Sequence, residues 1–255
     1  MGYRFDPMAS RSISRFALVG LSLSLSAVVT LPTYGQQGKA PFFSSMATYV
    51  YGGKAAKSPD GRKEVTIKLV DDNADDFPTD VFVVTGGKRI SARISFGLNA
   101  QVLWRPDSTG FAITGSEEGA NGQYETDVFE MRGGKLVRAP LTKLVQEAFG
   151  HPVKCGWPEA PNVVAVQWLG ASSQLVVAAQ IISHSNCDSM GTFKAYVVDT
   201  VTQRLVRVYD QIQAKQRFGS ALGEWLRDAK DSCIRDPKTC FVVANHPELK
   251  SNTPQ

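Results

Sequence analysis

From residue 47 to residue 209, short apolar runs recur between polar, turn-forming positions. The runs are rich in Val, Ile, Tyr and Phe, and bounded by Gly, Pro, Asp or Asn. That pattern predicts β-strands. A first set covers 47–51, 64–70, 80–85 and 89–94. A second covers 101–104, 110–114, 126–131 and 135–138, and a third covers 163–168, 174–182, 193–199 and 204–209. Two segments have a helical period. Leu141, Leu144, Val145 and Ala148 share a helical spacing that stops at Gly150, which predicts one short connector helix. After Asp210, a good N-cap, residues Phe218, Ala221, Leu222, Trp225, Leu226 and Ala229 fall on one face of an amphipathic helix running to about Lys230. Gly219 and Gly223 weaken that helix by about 1 kcal/mol each relative to Ala. The helix is expected to dock on the last sheet or cover its edge; a partner-binding face is the alternative.

The first two sets are copies of one another. Pro59-Asp60, Thr79-Asp80-Val81-Phe82 and Gly86-Gly87-Lys88 return as Pro106-Asp107, Thr126-Asp127-Val128-Phe129 and Gly133-Gly134-Lys135, each 47 positions later. The turn chemistry recurs with them. A proline of fixed φ precedes an Asp able to hydrogen-bond its own backbone, and the Gly-Gly pairs can take the positive φ of tight hairpins. In the third set the Pro-Asp and Gly-Gly signals are missing, and the assignment rests on strand order and on Trp168 aligning with Trp104. A repeat of this length cannot bury its apolar face alone and must stack on its neighbours.

Lys57-Ser58-Pro59-Asp60-Gly61-Arg62 and Trp104-Arg105-Pro106-Asp107-Ser108-Thr109-Gly110, each followed by a strand and later by Thr-Asp-Val-Phe, resemble the Pro-Asp repeats of WD40-like propellers of the TolB type. The resemblance covers residues 47–138, and weakly 163–209. It implies a mostly β, propeller-like array of about three antiparallel blades, open or abbreviated because closure takes at least four. It implies no one function, since such blades serve as binding scaffolds, as parts of the Tol-Pal envelope system and as gating domains ahead of peptidases.

Arg4, Arg11 and Arg15 lead into an apolar stretch from Phe16 to Leu31, with Thr33 and Gly35 suited to a cleavage site. This predicts a signal peptide over 1–35 and a secreted or periplasmic protein; an uncleaved anchor is the alternative. The expected organisation is then a β-repeat domain over 36–209, a C-terminal helix and disulfide loop over 210–247 packed on it, and a frayed tail over 248–255. The full chain of 255 residues carries a formal charge of +4, and removing the leader, with three Arg and one Asp, leaves about +2. Cations such as Arg204, Arg207, Lys215 and Arg217 are spread over separate elements and read as solvated surface. No basic stripe interleaved with aromatics marks a nucleic-acid binder, and contact with a membrane is expected only through the leader.

In an exported chain, Cys155, Cys187, Cys233 and Cys240 read as disulfides. The Asp236-Pro237 turn favours pairing Cys233 with Cys240, leaving Cys155 with Cys187. A zinc site is the competing reading, disfavoured by the lack of metal-ligand spacing around His151, His184 and His246. The segment Asp71–Asp76 lacks the glycine and glutamate of an EF-hand and reads as an acidic hairpin tip. Phosphate-cradling and dinucleotide motifs are missing, and no metal or cofactor is expected. The densest polar cluster is His184-Ser185-Asn186-Cys187-Asp188. Pinned by a disulfide, this loop is the first candidate binding surface, through His184, Ser185, Asn186 and Asp188. The strained nucleophile turn of a serine hydrolase is absent. The residues therefore point to a non-catalytic exported protein that binds a protein or glycan partner in a bacterial envelope. A hydrolase or hydrolase-associated domain using the loop from His184 to Asp188 is the alternative.

Overall fold

A computed structural model describes residues 43–50, 54–69, 79–94, 100–116, 123–150, 160–181 and 191–229. Thirteen strands among these residues form three antiparallel sheets. The first sheet comprises β2 (Ala56–Lys57), β3 (Lys63–Leu69), β4 (Thr79–Thr85) and β5 (Lys88–Ile94). The second has β1 (Thr48–Val50) at one edge, followed by β6 (Ala100–Trp104), β7 (Gly110–Ser116), β8 (Tyr124–Arg132) and β9 (Lys135–Pro140). The third is β10 (Asn162–Trp168), β11 (Gln174–Gln180), β12 (Phe193–Asp199) and β13 (Arg204–Tyr209). Three helices complete the chain: α1 (Thr142–Phe149), α2 (Gln211–Phe218) and α3 (Glu224–Arg227).

The second sheet lies between the other two. Its face bearing Val102, Trp104, Phe111, Ile113 and Phe129 packs on Val65, Ile67, Val81 and Val83 of the first sheet. Its opposite face, with Leu103, Ala112 and Val128, packs on Val163, Ala165, Trp168 and Val177 of the third, where α1 adds Val145 and Phe149. The far side of the third sheet is covered by Ala214 and Phe218 of α2, Leu226 of α3, and Ala221 and Leu222 between them. This explains why β6, β7 and most of β10 to β12 are buried at consecutive positions while β5 and β9 alternate. The outer side of the first sheet is polar: Lys57 pairs with Glu64 and Arg93 with Asp80, and the Arg89 guanidinium lies 3.6 Å over the Phe82 ring.

Two expectations need correction. The run 47–51 supplies β1, but β1 pairs with β6 at the edge of the second sheet instead of opening the first. The true first strand of the first sheet is β2, which lies 47 positions before the end of β6; aromatic content at 47–51 outweighed the repeat spacing. The helix expected over 211–230 is two short ones. Asp210 caps α2 through a capping box with Gln213, as its side chain predicts. The helix ends at Gly219, its C-cap, where a Cβ would lie 2.5 Å from the Lys215 carbonyl oxygen, a fit only glycine makes. Gly223 is the N-cap of α3 and donates its amide to Phe43 O at 2.8 Å. The apolar face is nevertheless the predicted one, and it docks on the third sheet.

One contact recurs between sheets. Trp104 Nε1 donates to Ala56 O at 3.0 Å, and Trp168 Nε1 donates to Leu103 O at 3.0 Å. Ala56 and Leu103 are themselves 47 positions apart, so both indoles address equivalent carbonyls on the first strand of the preceding sheet. The second and third sheets are further joined by threonines: Thr126 Oγ1 donates to Val163 O at 2.8 Å and Ala165 N donates to Thr114 Oγ1 at 3.0 Å. Replacing Trp168 by Phe keeps most of the apolar volume and leaves a buried carbonyl short of a partner, a loss of about 1–3 kcal/mol. Urea unfolding of Trp168→Phe and Trp104→Phe should show losses of that size, with the double variant close to additive.

The turns repeat as closely as the strands. Gly86 and Gly87 adopt φ of 55° and 75°, and Gly133 and Gly134 adopt 57° and 76°. Ser108 holds a left-handed φ of 61°, where its counterpart Gly61 has 68°. The strain at Ser108 is offset by its hydroxyl, which accepts from Asp60 N at 3.1 Å and ties the two turns together. The turn aspartates act as hydrogen-bond acceptors. Asp60 is held well below the usual carboxylate range by Ser58 and the Arg62 amide. At Asp107, burial pushes upward but bonds from Thr109 and Arg105 outweigh it, and Asp199 is lowered chiefly by the Thr202 amide. Buried Asp127 shifts the other way, because desolvation exceeds the attraction of Arg138, whose Nε lies 2.6 Å from Oδ2. A depressed folded pKa contributes stability that is present above about pH 4 and is lost as pH falls through the folded value. Asp127 contributes in the opposite sense, so three groups oppose one. The melting temperature should therefore fall on acidification below about pH 4, and Asp199→Asn should flatten that fall when melting is followed against pH.

Candidate functional site

Each sheet is an up-and-down meander, so its connections alternate between two ends. At one end are the tight turns 58–61, 86–87, 105–109, 133–134, 169–173 and 200–203. At the other are the strand ends joined by 70–78, 117–122 and 182–190, together with those at connectors 95–99 and 151–159. The sheets share this orientation. The bond from Asp60 N to Ser108 Oγ joins two turn ends, and the bond from Tyr124 N to Asn162 Oδ1, 2.9 Å, joins two loop ends.

At the loop end, the face of the second sheet that looks toward the third changes from apolar to polar. Below Leu103, Ala112 and Val128 come Gln101, Thr114, Thr126 and Ser116, all buried. The threonines are satisfied by β10, whereas three other buried atoms at this end have no hydrogen-bond partner among the described residues: Gln101 Nε2, Ser116 Oγ and, on the third sheet, Gln180 Oε1. The three residues are only 4, 1 and 1% exposed, respectively. Backbone contacts fix both amide orientations. Gln101 Oε1 accepts from Phe43 N at 3.4 Å, and Gln180 Nε2 donates to Gly191 O at 3.0 Å and Trp225 O at 3.2 Å.

Gln180 shares the helix-covered face of the third sheet with Val176 and Ala178, whereas Gln101 and Ser116 look toward the other face of that sheet, and aromatic residues connect the segments that carry them. Phe43 packs edge-on against Tyr124 and Trp225, with centroids 4.8 and 5.2 Å away. Tyr124 stands opposite Ser116 in the β7–β8 register, and Tyr49 stands opposite Gln101 in the β1–β6 register. Burial, and next the neighbouring Tyr49, raises the Tyr124 phenol above its ordinary value. Tyr49 and Trp225 are half-buried, so their rings reach the surface. The segment at 43–45 holds the arrangement: Ser44 Oγ donates to Val166 O at 2.6 Å and Ser45 N donates to Ala221 O at 2.9 Å.

Chemically this is a neutral site with one amide donor, one hydroxyl able to donate or accept, and one amide acceptor, beside aromatic rings. None of the three polar groups titrates near neutral pH. These groups offer no general acid or base. An unpartnered buried polar atom costs about 1–3 kcal/mol, so three at one end are expensive in a molecule with ordinary stability.

The residues singled out from sequence, His184, Ser185, Asn186 and Asp188, lie outside the described residues, as do Cys155, Cys187, Cys233 and Cys240 and the leader. Ile181 and Gly191, which bracket that loop, are described; Gly191 O is a partner of Gln180. Among the described residues there is no cluster of metal-ligating side chains and no helix long and apolar enough to cross a membrane. Gln101, Ser116 and Gln180 were not singled out from sequence. The available signal was a polar residue interrupting an apolar run, as Gln180 does between Ala178-Ala179 and Ile181.

No family model and no curated protein sequence matches the chain. Among solved structures, a serine-to-alanine variant of the AtxE2 isopeptidase with astexin3-dC4 bound is similar at a TM-score of 0.42 and 12% identity, over 69% of this chain and 32% of that one. A likeness at that score identifies neither a fold nor an activity.

Proposed function

We propose that the chain is an exported, non-catalytic β-repeat protein whose three stacked sheets form an open, propeller-like array, and that the loop end of the stack binds a protein or glycan partner in the cell envelope. The observation that carries this reading is that Gln101, Ser116 and Gln180, all at the loop-end termini of their strands, each bury a polar atom with no hydrogen-bond partner among the described residues. Folded proteins leave few such atoms, and three of the five among the described residues lie at this end, the others being Asp127 Oδ2, which faces Arg138, and Tyr196 Oη, both in mid-strand. That distribution fits a place where a bound molecule supplies missing partners. Export is supported by the basic and apolar leader, and a binding role by the uncharged donor set.

The reading separates from a purely structural role by the sign of a stability change. Ser116→Ala removes an unpartnered hydroxyl, so the free protein should gain stability, with about 2–4 °C in melting temperature for each 1 kcal/mol. The same variant should lose affinity for any neutral oligosaccharide or envelope protein that stabilises the wild type in a thermal-shift panel. Binding should also move the Trp225 indole resonance. A Ser116→Ala variant that is destabilised, with its ligand affinity intact, refutes the assignment.

A further inference from the structure

The end opposite the candidate site has its own chemistry. Its hairpin tips gather Arg62, Lys63, Lys88, Arg89, Arg105, Arg132, Lys135 and Arg204 from three sheets, against the carboxylates of Asp60, Asp107, Glu130 and Asp199. Every one of those carboxylates is engaged within the fold. Asp60 bonds Ser58, the Arg62 amide and Lys63; Asp107 bonds Thr109 and Arg105; Glu130 meets Arg105 and Arg132; Asp199 accepts from Ser173, Val201 and Thr202. Lys63, Arg105 and Arg132 are thereby paired. Arg62, Lys88, Lys135 and Arg204 are exposed and face no carboxylate among the described residues, while the Arg89 guanidinium lies over the Phe82 ring. In the sequence these cations look like scattered surface charge; stacking the sheets brings their hairpins to one end.

We propose that this turn end docks on an anionic lipid surface. Three features favour a lipid surface over other polyanions. The cations are spread over tips of sheets stacked about 10 Å apart, which makes a broad charged platform with no central cleft. Val201, 55% exposed at the β12–β13 tip beside Arg204, adds an apolar residue where it can enter the headgroup layer. The connections at the far end carry Asp71, Asp72, Asp75, Asp76, Glu117 and Glu118, so the molecule has a charge asymmetry that turns its basic end toward a negative surface. In that pose the candidate binding site faces away from the lipid. A second copy of the chain, docking its acidic end on the basic one, is the competing occupant and would build open head-to-tail chains.

The test is partitioning of the full mature protein onto vesicles of pure phosphatidylcholine and of an equimolar mixture with phosphatidylglycerol, in low and high salt. Binding is expected only to the anionic vesicles, and it should weaken as salt rises. Neutralising Arg62→Gln, Lys88→Gln and Lys135→Gln together should lower the partition coefficient about a hundred-fold, from about fivefold for each cation near an anionic surface. A charge-matched control, Lys68→Gln with Lys143→Gln and Arg227→Gln, should lower it far less. Val201→Ser should lower it several-fold. Equal losses in the two triple variants, no preference for anionic vesicles, or concentration-dependent oligomers formed without lipid and abolished by the turn-end triple variant would each overturn the proposal.

Discussion

The rest of the structure depends on burying the second sheet on both of its faces. A strand of alternating pattern can cover only one side, and β6 and β7 are instead buried at every position. They can exist only between two other layers. Packing alone would let the layers slide, because apolar contact has little direction. The two indole bonds supply the direction. Each fixes a tryptophan at the turn end of one sheet to a carbonyl at a defined position of the sheet before it. The threonine bonds to Val163 and Ala165 do the same nearer the loop end.

The repeat also shows why the stack stops. Phe129 is buried between the first and second sheets, stacked on Phe111 at 5.3 Å, whereas its counterpart Phe82 points to the outside of the first sheet. There an arginine covers the ring in place of another sheet. The position that holds Trp104 in the second unit is Lys57 in the first, so the first sheet carries no indole with which to fasten itself to a preceding layer. At the other end α2 and α3 cover the third sheet. Polar and helical caps of this kind are what a linear stack needs to remain soluble.

Much of this was legible in the chain. Twelve of the thirteen strands fall where the short Val-, Ile-, Tyr- and Phe-rich runs and the turn residues put them, β2 being the exception, and the Gly-Gly hairpins take the positive φ that their composition demands. Trp168 was aligned with Trp104 on strand order alone, and its hydrogen bond to Leu103 shows that the alignment is physical. What could not be read was anything that depends on which distant segment lies alongside. The run at 48–50 makes an equally good strand in either sheet, and only the tertiary pairing assigns it to β6. Gly219 reads as a weak point inside a helix, yet it is the C-cap of one, and the contact of Gly223 N with Phe43 O just beyond it joins segments far apart in sequence. The candidate site is illegible for the same reason: Gln101, Ser116 and Gln180 lie on strands far apart in sequence, and a polar residue without a partner cannot be recognised until its neighbours are known.

The two ends of the sheets differ because their connections face different physical demands. Tight turns leave few choices: the Gly-Gly and Pro-Asp turns are prescribed by φ and by local hydrogen bonds, and their aspartates are consumed in holding the backbone. The side chains free to vary there are those just beside the turn, and these are long and cationic. Longer connections carry no such prescription, so the opposite end can spend side-chain chemistry on something other than its own geometry. A structure built from tight turns at one end and long loops at the other thus separates a broad charged platform from a small neutral site, and it does so through topology before any particular ligand is considered.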